Sequence, residues 1–468
     1  MNSSTMSTLS VYAPFDQSLI KEIPLATSKE MSNAIDRALG LFLDQSKWLP
    51  KYKRVEILEN IAFLMEERSE EIIQISAMEG GKPWMDTEVE MKRAINGVKL
   101  AIENMGHLKG EEVAMGHTVS SANRLAYTMR EPIGVVASVS AFNHPINLII
   151  HQTIPAIAVG SPVIIKPAPT TPLTCLLLVE IFESAGLPEG WCTAMPCDND
   201  VAEQLVTSPK VNFFSFIGSA KVGWYLRSKL APGTRCALEH GGSAPVIIEP
   251  DAEIKSMIPA LVKGGFYHAG QVCVSVQRIF VHESIVDEVV EEMDTQVRAL
   301  ISGNPLKKET EVGPLILPRE VDRVHEWVAE AKEAGAKVIC GGQKISNTFY
   351  EPTILLNPSD DCKVSTQEIF GPVVCVYSYT DRQEAINKAN ALEFAFQSSI
   401  FTKNIDVALD TVRKLNATAV MVNDHTAFRV DWMPFGGRDA SGLGLGSIPH
   451  SMHDMTREKL MVIKSEVL

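Results

Sequence analysis

No stretch of this chain stays apolar long enough to cross a membrane. The most apolar region, Ile133 to Ile165, is broken by Asn143-His144-Pro145 and again by Gly160-Ser161-Pro162. Positive charge is also in short supply: 43 Lys and Arg stand against 57 Asp and Glu, a formal charge of −14. That balance argues against nucleic acid and anionic membrane as partners. It leaves an anionic substrate open, because a few local cations can dominate a site. The eight cysteines (Cys175, Cys192, Cys197, Cys236, Cys273, Cys340, Cys362 and Cys375) form no CxxC pair and no zinc-type spacing, so no metal is expected. Scattered thiols in a long chain point to a reducing compartment, hence the cytoplasm. Met1 to Ser10 has neither a basic residue nor the apolar centre of a targeting peptide, and is expected to be a loose arm. Beyond that arm there is no low-complexity tract, and no internal repeat is visible.

What the chain does have is strand–helix alternation. At 468 residues it is too long for one core, so two or three domains are expected. From Ile133 onward, apolar runs of strand length (133–141, 162–166, 191–195 and 211–217) alternate with helix-length segments (146–159, 173–184 and 201–206). This order implies a parallel sheet covered on both faces, with ligands beyond the carboxyl ends of its strands. Asn143, Lys166 and Gly218 fall at such ends. The first hundred residues read as helical, notably 56–69 and 88–105. After Pro250 a second α/β series follows: helices at 254–266, 285–300, 319–334 and 382–390, and strands at 277–282, 337–340 and 373–379. Leu125–Arg130 and Lys459–Ile463 are strand-like pieces outside both series. Exposed strands of that kind often pair with another subunit.

Two short motifs carry chemistry. Gly270-Gln271-Val272-Cys273 offers a thiol in a turn-like setting, and 34 residues earlier Leu238-Glu239-His240-Gly241-Gly242 offers a carboxylate in another. A thiolate can attack a carbonyl carbon, and a carboxylate can activate water to release the acyl group. Taken singly, each residue has a plainer reading. Most cysteines are buried and inert, Asn143 could simply form the turn before Pro145, and Lys166 could end a strand in water. His240 reads as structural. His268, five residues before Cys273, raises a cysteine-hydrolase alternative. Gly442-Leu443-Gly444-Leu445-Gly446 looks like a dinucleotide fingerprint but lacks a preceding strand and a following helix, and reads as a loop.

The remaining motifs, in order, are Phe142-Asn143-His144-Pro145, Ile165-Lys166-Pro167-Ala168, Phe216-Ile217-Gly218-Ser219, Glu368-Ile369-Phe370-Gly371-Pro372 and Pro434-Phe435-Gly436-Gly437. Together with the Glu239 and Cys273 motifs, this series resembles the aldehyde dehydrogenase superfamily from about Pro14 to Leu468. The resemblance implies an α/β fold with a Rossmann-type cofactor domain, an α/β catalytic domain and a small oligomerisation element. On that pattern residues 1–118 begin the cofactor domain, 119–136 form an oligomerisation hairpin and 137–245 the Rossmann-like core. Residues 246–445 form the catalytic domain and 446–468 an oligomerisation tail, in a homodimer or homotetramer. The resemblance also implies roles. Cys273 forms a thiohemiacetal and then a thioester, Asn143 and the Cys273 N–H hold the oxyanion, and Glu239 activates water. Lys166, Gly218, Ser219, Glu368 and Phe370 contact the nicotinamide cofactor.

The sequence departs from the pattern in places. Many NAD-using relatives carry a glutamate three residues beyond the Lys166 position, and here that residue is Pro169. The group that would repel a 2′-phosphate is missing, so NADP stays open, while the resemblance implies NAD. Phe142-Asn143-His144-Pro145 with Phe428-Arg429-Val430-Asp431-Trp432-Met433-Pro434 resembles the branch handling lactaldehyde, sulfolactaldehyde and phosphonoacetaldehyde. In that branch Val272 and Trp432 are departures. Arg429 is the expected contact for a substrate anion, His144 a further substrate residue, and Arg93 and Lys92 weaker candidates. The alternative for Arg429 is a structural salt bridge with Asp431 or Asp424. The reaction expected is oxidation of a short, polar, anionic aldehyde. The alternatives are a CoA-acylating enzyme, disfavoured by Glu239, a cysteine hydrolase, or a silent structural protein.

Overall fold

The computed structural model describes residues 7–468. Its first sheet has six strands in the spatial order Gly442–Leu443, Arg235–Glu239, Val211–Ile217, Val135–Val139, Val163–Lys166 and Cys192–Ala194. All run parallel except Gly442–Leu443, which pairs antiparallel with Leu238-Glu239. The apolar runs are continuous because both faces are covered. Val135, Ala137 and Ile164 pack on one side with Met31, Ile35 and Leu205. Val136, Val163 and Ile165 pack on the other with Ile57, Ile150 and Leu178. Successive residues thus enter different cores, which is what a period of two requires.

The second sheet has seven strands in the order Lys337–Cys340, Thr353–Leu356, Val373–Tyr379, Val276–His282, Ala244–Ile248, Gln397–Phe401 and Ala419–Val422. Only the first pair is antiparallel. Helices Ile254–Phe266, Val286–Ala299 and Pro318–Glu333 pack their apolar stripes onto it in a separate core. The two α/β series expected from the sequence are therefore two sheets with their own cores.

Two expectations need correction. The N-terminal arm was expected to run to Ser10, but Thr8–Tyr12 is a strand paired antiparallel with Leu19–Pro24; residues 1–6 lie outside the described part. The same hairpin corrects the all-helical reading of the first hundred residues. Its alternation is too short and polar to compete with the helical periodicity after it. The strands at Leu125–Arg130 and Lys459–Ile463 pair with each other. Arg124–Pro132 runs antiparallel to Thr456–Lys464 in full register, with Glu112–Val113 on its other edge. Among the described residues no helix is long and apolar enough to cross a membrane.

Candidate active site

A cavity of about 600 Å³ lies where the carboxyl ends of the first sheet face the second unit. The nucleophile loop enters it along an unusual backbone. His268, Ala269 and Gly270 all have left-handed φ (50°, 53° and 69°) before Gln271-Val272-Cys273. Gly270 is required twice over, by its φ and because a side chain there would strike the Gly371 carbonyl. The Gln271 side chain pins the loop from below. Its Nε2 donates to the carbonyls of His268 and Pro314 (3.2 Å each), and its Oε1 accepts from Ile316 N (2.9 Å). Such strain persists only where the surroundings over-determine it.

Cys273 Sγ points at the carboxylate of Glu239, the last residue of strand Arg235–Glu239, at 3.9 Å from Oε1. Burial raises the Cys273 pKa well above its ordinary value; Glu239 adds to the rise and Arg429 opposes it. Burial also raises Glu239, again against Arg429. Both shifts run against a thiolate and a carboxylate standing charged side by side. The Asn143 amide donates to the Gln271 carbonyl at 2.9 Å, which turns the side chain into the same cavity. The Cys273 N–H makes no backbone hydrogen bond among the described residues.

On the first-sheet side, Lys166 ends strand Val163–Lys166 and is buried, yet its amine has no hydrogen-bond or ionic partner among the described residues. Burial lowers its pKa, while Cys197 and Asp198 oppose the fall. Gly218 and Ser219 lead into the helix Ala220–Arg227, whose N-cap Ser219 leaves the first N–H groups without a side-chain cap. Glu368 Oε1 accepts from Gly242 N at 3.2 Å, and burial lifts its pKa to about 8. A side chain at Gly241 would overlap that carboxylate. Phe370, at φ +47°, sets its ring edge-on to Phe142 with centroids 5.8 Å apart. An unpaired amine, a poised carboxyl and free helix N–H groups suit a ligand that carries hydroxyls and a diphosphate.

Arg429 corrects the salt-bridge alternative. It pairs with neither Asp431 nor Asp424; its guanidinium lies over the Phe435 ring at 3.5 Å and its Nε is buried without a partner. Asp431 is already saturated. It accepts from Arg93 Nε and Nη2 (3.1 and 2.7 Å), Asn147 Nδ2 (3.1 Å) and His151 Nε2 (2.9 Å). Burial works against the Asp431 carboxylate, but His151 and Arg93 hold its pKa well below the usual range. Arg93, a sequence candidate for an anion contact, lines the cavity but is tied to Asp431, whereas Lys92 pairs with Glu88 on the surface.

His144 lines the cavity edge-on to Tyr267 at 6.3 Å; burial and neighbouring cations keep it neutral. His240 hydrogen-bonds the Gly218 carbonyl at 3.0 Å and packs between Phe216 and Trp224, a structural placement. His268 makes no bond to Cys273 and both its ring nitrogens are buried without partners, so the thiol–imidazole dyad of a hydrolase is absent. Val272 joins an apolar cluster with Val274, Phe396 and Phe435, and Trp432 is exposed outside the cavity. Sequence reasoning missed the Gln271 side chain, the Asp431 hub and a buried Lys82–Glu90 pair. Charged residues on an amphipathic helix ordinarily read as its solvated face. Among the described residues no group of three His, Cys, Asp or Glu could hold a metal.

A model of the aldehyde dehydrogenase family matches residues 1–461. The chain is 37% identical over 460 residues to a 3-sulfolactaldehyde dehydrogenase of Priestia aryabhattai, covering 98% of this chain and 95% of that one. It is equally 37% identical to a lactaldehyde dehydrogenase of Methanocaldococcus jannaschii, covering 97% of each. Among solved structures it resembles a glyceraldehyde-3-phosphate dehydrogenase from Methanocaldococcus jannaschii complexed with NADP. That likeness has a TM-score of 0.93 at 36% identity and covers 99% of this chain and 100% of that one.

Proposed function

The chain belongs to the aldehyde dehydrogenase family, and we propose that it oxidises a short, polar, anionic aldehyde to its carboxylate with NAD or NADP and without CoA. The observation that carries this reading is the convergence of the Cys273 thiol, the Glu239 carboxyl and the unpaired Arg429 guanidinium on one cavity.

Cys273 gives up its thiol proton to solvent and its Sγ attacks the aldehyde carbon, and the new alkoxide is held by the Asn143 amide and the Cys273 N–H. One Asn143 hydrogen is committed to Gln271 and the other is free for the alkoxide. Nicotinamide, when bound, supplies hydride acceptance. Once the thioester stands on Cys273, Glu239 deprotonates a water that attacks it. The carboxylic acid leaves, and Cys273 recovers its proton. Lys166 and Glu368 would hold cofactor ribose hydroxyls, and Gly218 and Ser219 would present the helix N-terminus to the diphosphate. Phe370 would pack beside the nicotinamide end. Pro169, on the cavity wall, brings no charge against a 2′-phosphate, and one similar structure is the NADP complex named above.

Arg429 binds the substrate's anionic end and His144 flanks it as a neutral polar contact. The names of the sulfolactaldehyde and glyceraldehyde-3-phosphate dehydrogenases fit such a group, whereas lactaldehyde is the neutral case. The three-stranded sheet, with Leu125, Leu460, Val462 and Ile463 exposed, is the surface assigned to homo-oligomer assembly. The test is reduced-cofactor formation from NAD and NADP across neutral, hydroxylated, carboxylated, sulfonated and phosphonated short aldehydes, with and without CoA. Strong CoA-independent turnover of an anionic member supports the reading. Strict CoA dependence, or preference for neutral aldehydes, overturns the corresponding half.

A further inference from the structure

We infer that Glu90, tethered by Lys82, is a positioning residue that sets the Asn143 loop and, through it, the oxyanion site; the inference rests on the assignment of Asn143 above. Lys82 Nζ and Glu90 Oε2 are 2.7 Å apart, and each side chain is 1% exposed. The other oxygen, Oε1, accepts from the backbone N–H groups of Ile146 (2.9 Å) and Asn147 (2.8 Å). Those N–H groups open the helix Asn147–Val159, whose N-cap Ile146 offers no side-chain acceptor. The first N–H groups of a helix need a partner from elsewhere. Here it comes from a different helix, Trp84–Asn104, and lands three residues after Asn143.

The clamp is two-sided. Glu90 fixes the backbone just beyond Asn143, while the Gln271 carbonyl fixes the Asn143 side chain from the nucleophile loop. Both sides trace to one turn, Gly81-Lys82-Pro83. Gly81 is left-handed and abuts Pro14 and Pro314, and a side chain at Gly313 would strike the Gly81 carbonyl. Pro314 in turn accepts from Gln271 Nε2 at 3.2 Å. The two donors of the oxyanion site, on loops joined by the Asn143–Gln271 hydrogen bond across 128 residues of sequence, therefore hang on a common support. A buried ion pair is a poor source of stability compared with apolar packing. Its use here is geometric, because only an acceptor at residue 90 satisfies both N–H groups, and only a cation at residue 82 lets that acceptor be a buried carboxylate.

The experiment compares K82M/E90Q, which is charge-neutral and keeps an acceptor oxygen, with K82M/E90L, which has none. Both are made in the wild-type and the Asn143→Ala backgrounds. The readouts are the pre-steady-state rate of reduced-cofactor formation and the cofactor Kd. K82M/E90L is expected to slow that rate roughly 10- to 100-fold with the Kd unchanged, short of the ~10²- to 10³-fold cost of losing an oxyanion donor outright. K82M/E90Q should stay within about threefold of wild type, and K82M/E90L should cost less than about threefold once Asn143 is gone, because effects transmitted through one residue are not additive. Multiplicative losses in the Asn143→Ala background, or equal losses for the glutamine and leucine variants, would overturn the inference. An Asn143→Ala enzyme with an unchanged rate would instead overturn the oxyanion assignment. If the leucine variant does not fold, Glu90→Asp retracts the acceptor by one methylene, keeps the charge, and is held to the same criteria.

Discussion

Replacing Arg429 with Met keeps an apolar stem over Phe435 and deletes the charge. The guanidinium lies 3.5 Å above that ring, and its buried Nε has no partner. A charge-assisted hydrogen bond to a substrate anion contributes about 1.5–3 kcal/mol, and at tenfold per 1.36 kcal/mol that is roughly 10- to 150-fold in kcat/KM. A Coulomb estimate for charges ~4 Å apart at an effective dielectric of ~20 gives about 4 kcal/mol, an upper bound consistent with that range. A second effect is common to all substrates. Arg429 opposes the burial-driven rise in the pKa of Cys273 and Glu239, so its loss lets both rise further. Measuring kcat/KM for one anionic aldehyde and for propionaldehyde, across pH, separates the two. The anionic substrate should lose an additional factor of at least about 10 at every pH, while the acidic limb moves up equally for both. Equal losses for the two aldehydes would refute the anion contact.

Glu239 must be ionised to activate water, and burial raises its pKa. Hydrolysis-limited kcat should therefore rise with pH through a value above the ordinary 4.5 of a glutamate, and a limb at or below 4.5 would contradict this. Pro169→Glu introduces a carboxylate on the cavity wall; like-charge repulsion of a few kcal/mol should cut kcat/KM for NADP by about 10-fold or more and spare NAD. Equal effects on both cofactors would remove Pro169 from the 2′-phosphate site. Gly241→Ala places a methyl in the space of the Glu368 carboxylate, so the cofactor Kd, read by fluorescence titration, should weaken by about 10-fold. An unchanged Kd would show that Glu368 does not hold the cofactor.

Much of the fold was legible because its strands are covered on both faces. Val211–Ile217, Lys337–Cys340, Val373–Tyr379 and helix Ile254–Phe266 stand where the apolar runs put them. Local pattern carries no partner, however, so the pairing of Arg124–Pro132 with Thr456–Lys464 was not readable. The site divides in the same way. Cys273, Glu239, Asn143, Lys166, Glu368 and Arg429 sit in recognisable short motifs, and all of them except Lys166 line one cavity. The supports behind them come from distant segments and carry ordinary helix-surface residues. Asp431 was weighed as a partner for Arg429, but two segments further off, Arg93 and His151, take its oxygens first. That competition is decided by packing, and it is what leaves Arg429 unpaired.

The central claim is a covalent acyl-enzyme on Cys273 that Glu239 releases. It is tested most directly in the Glu239→Gln enzyme, mixed with aldehyde and oxidised cofactor, quenched in acid and digested for peptide mass spectrometry. A near-stoichiometric burst of reduced cofactor and the acyl mass on the Cys273 peptide are expected, with turnover slowed by about 10²- to 10⁴-fold. Full turnover with no acyl mass on that peptide, or an acyl mass on another residue, would contradict it.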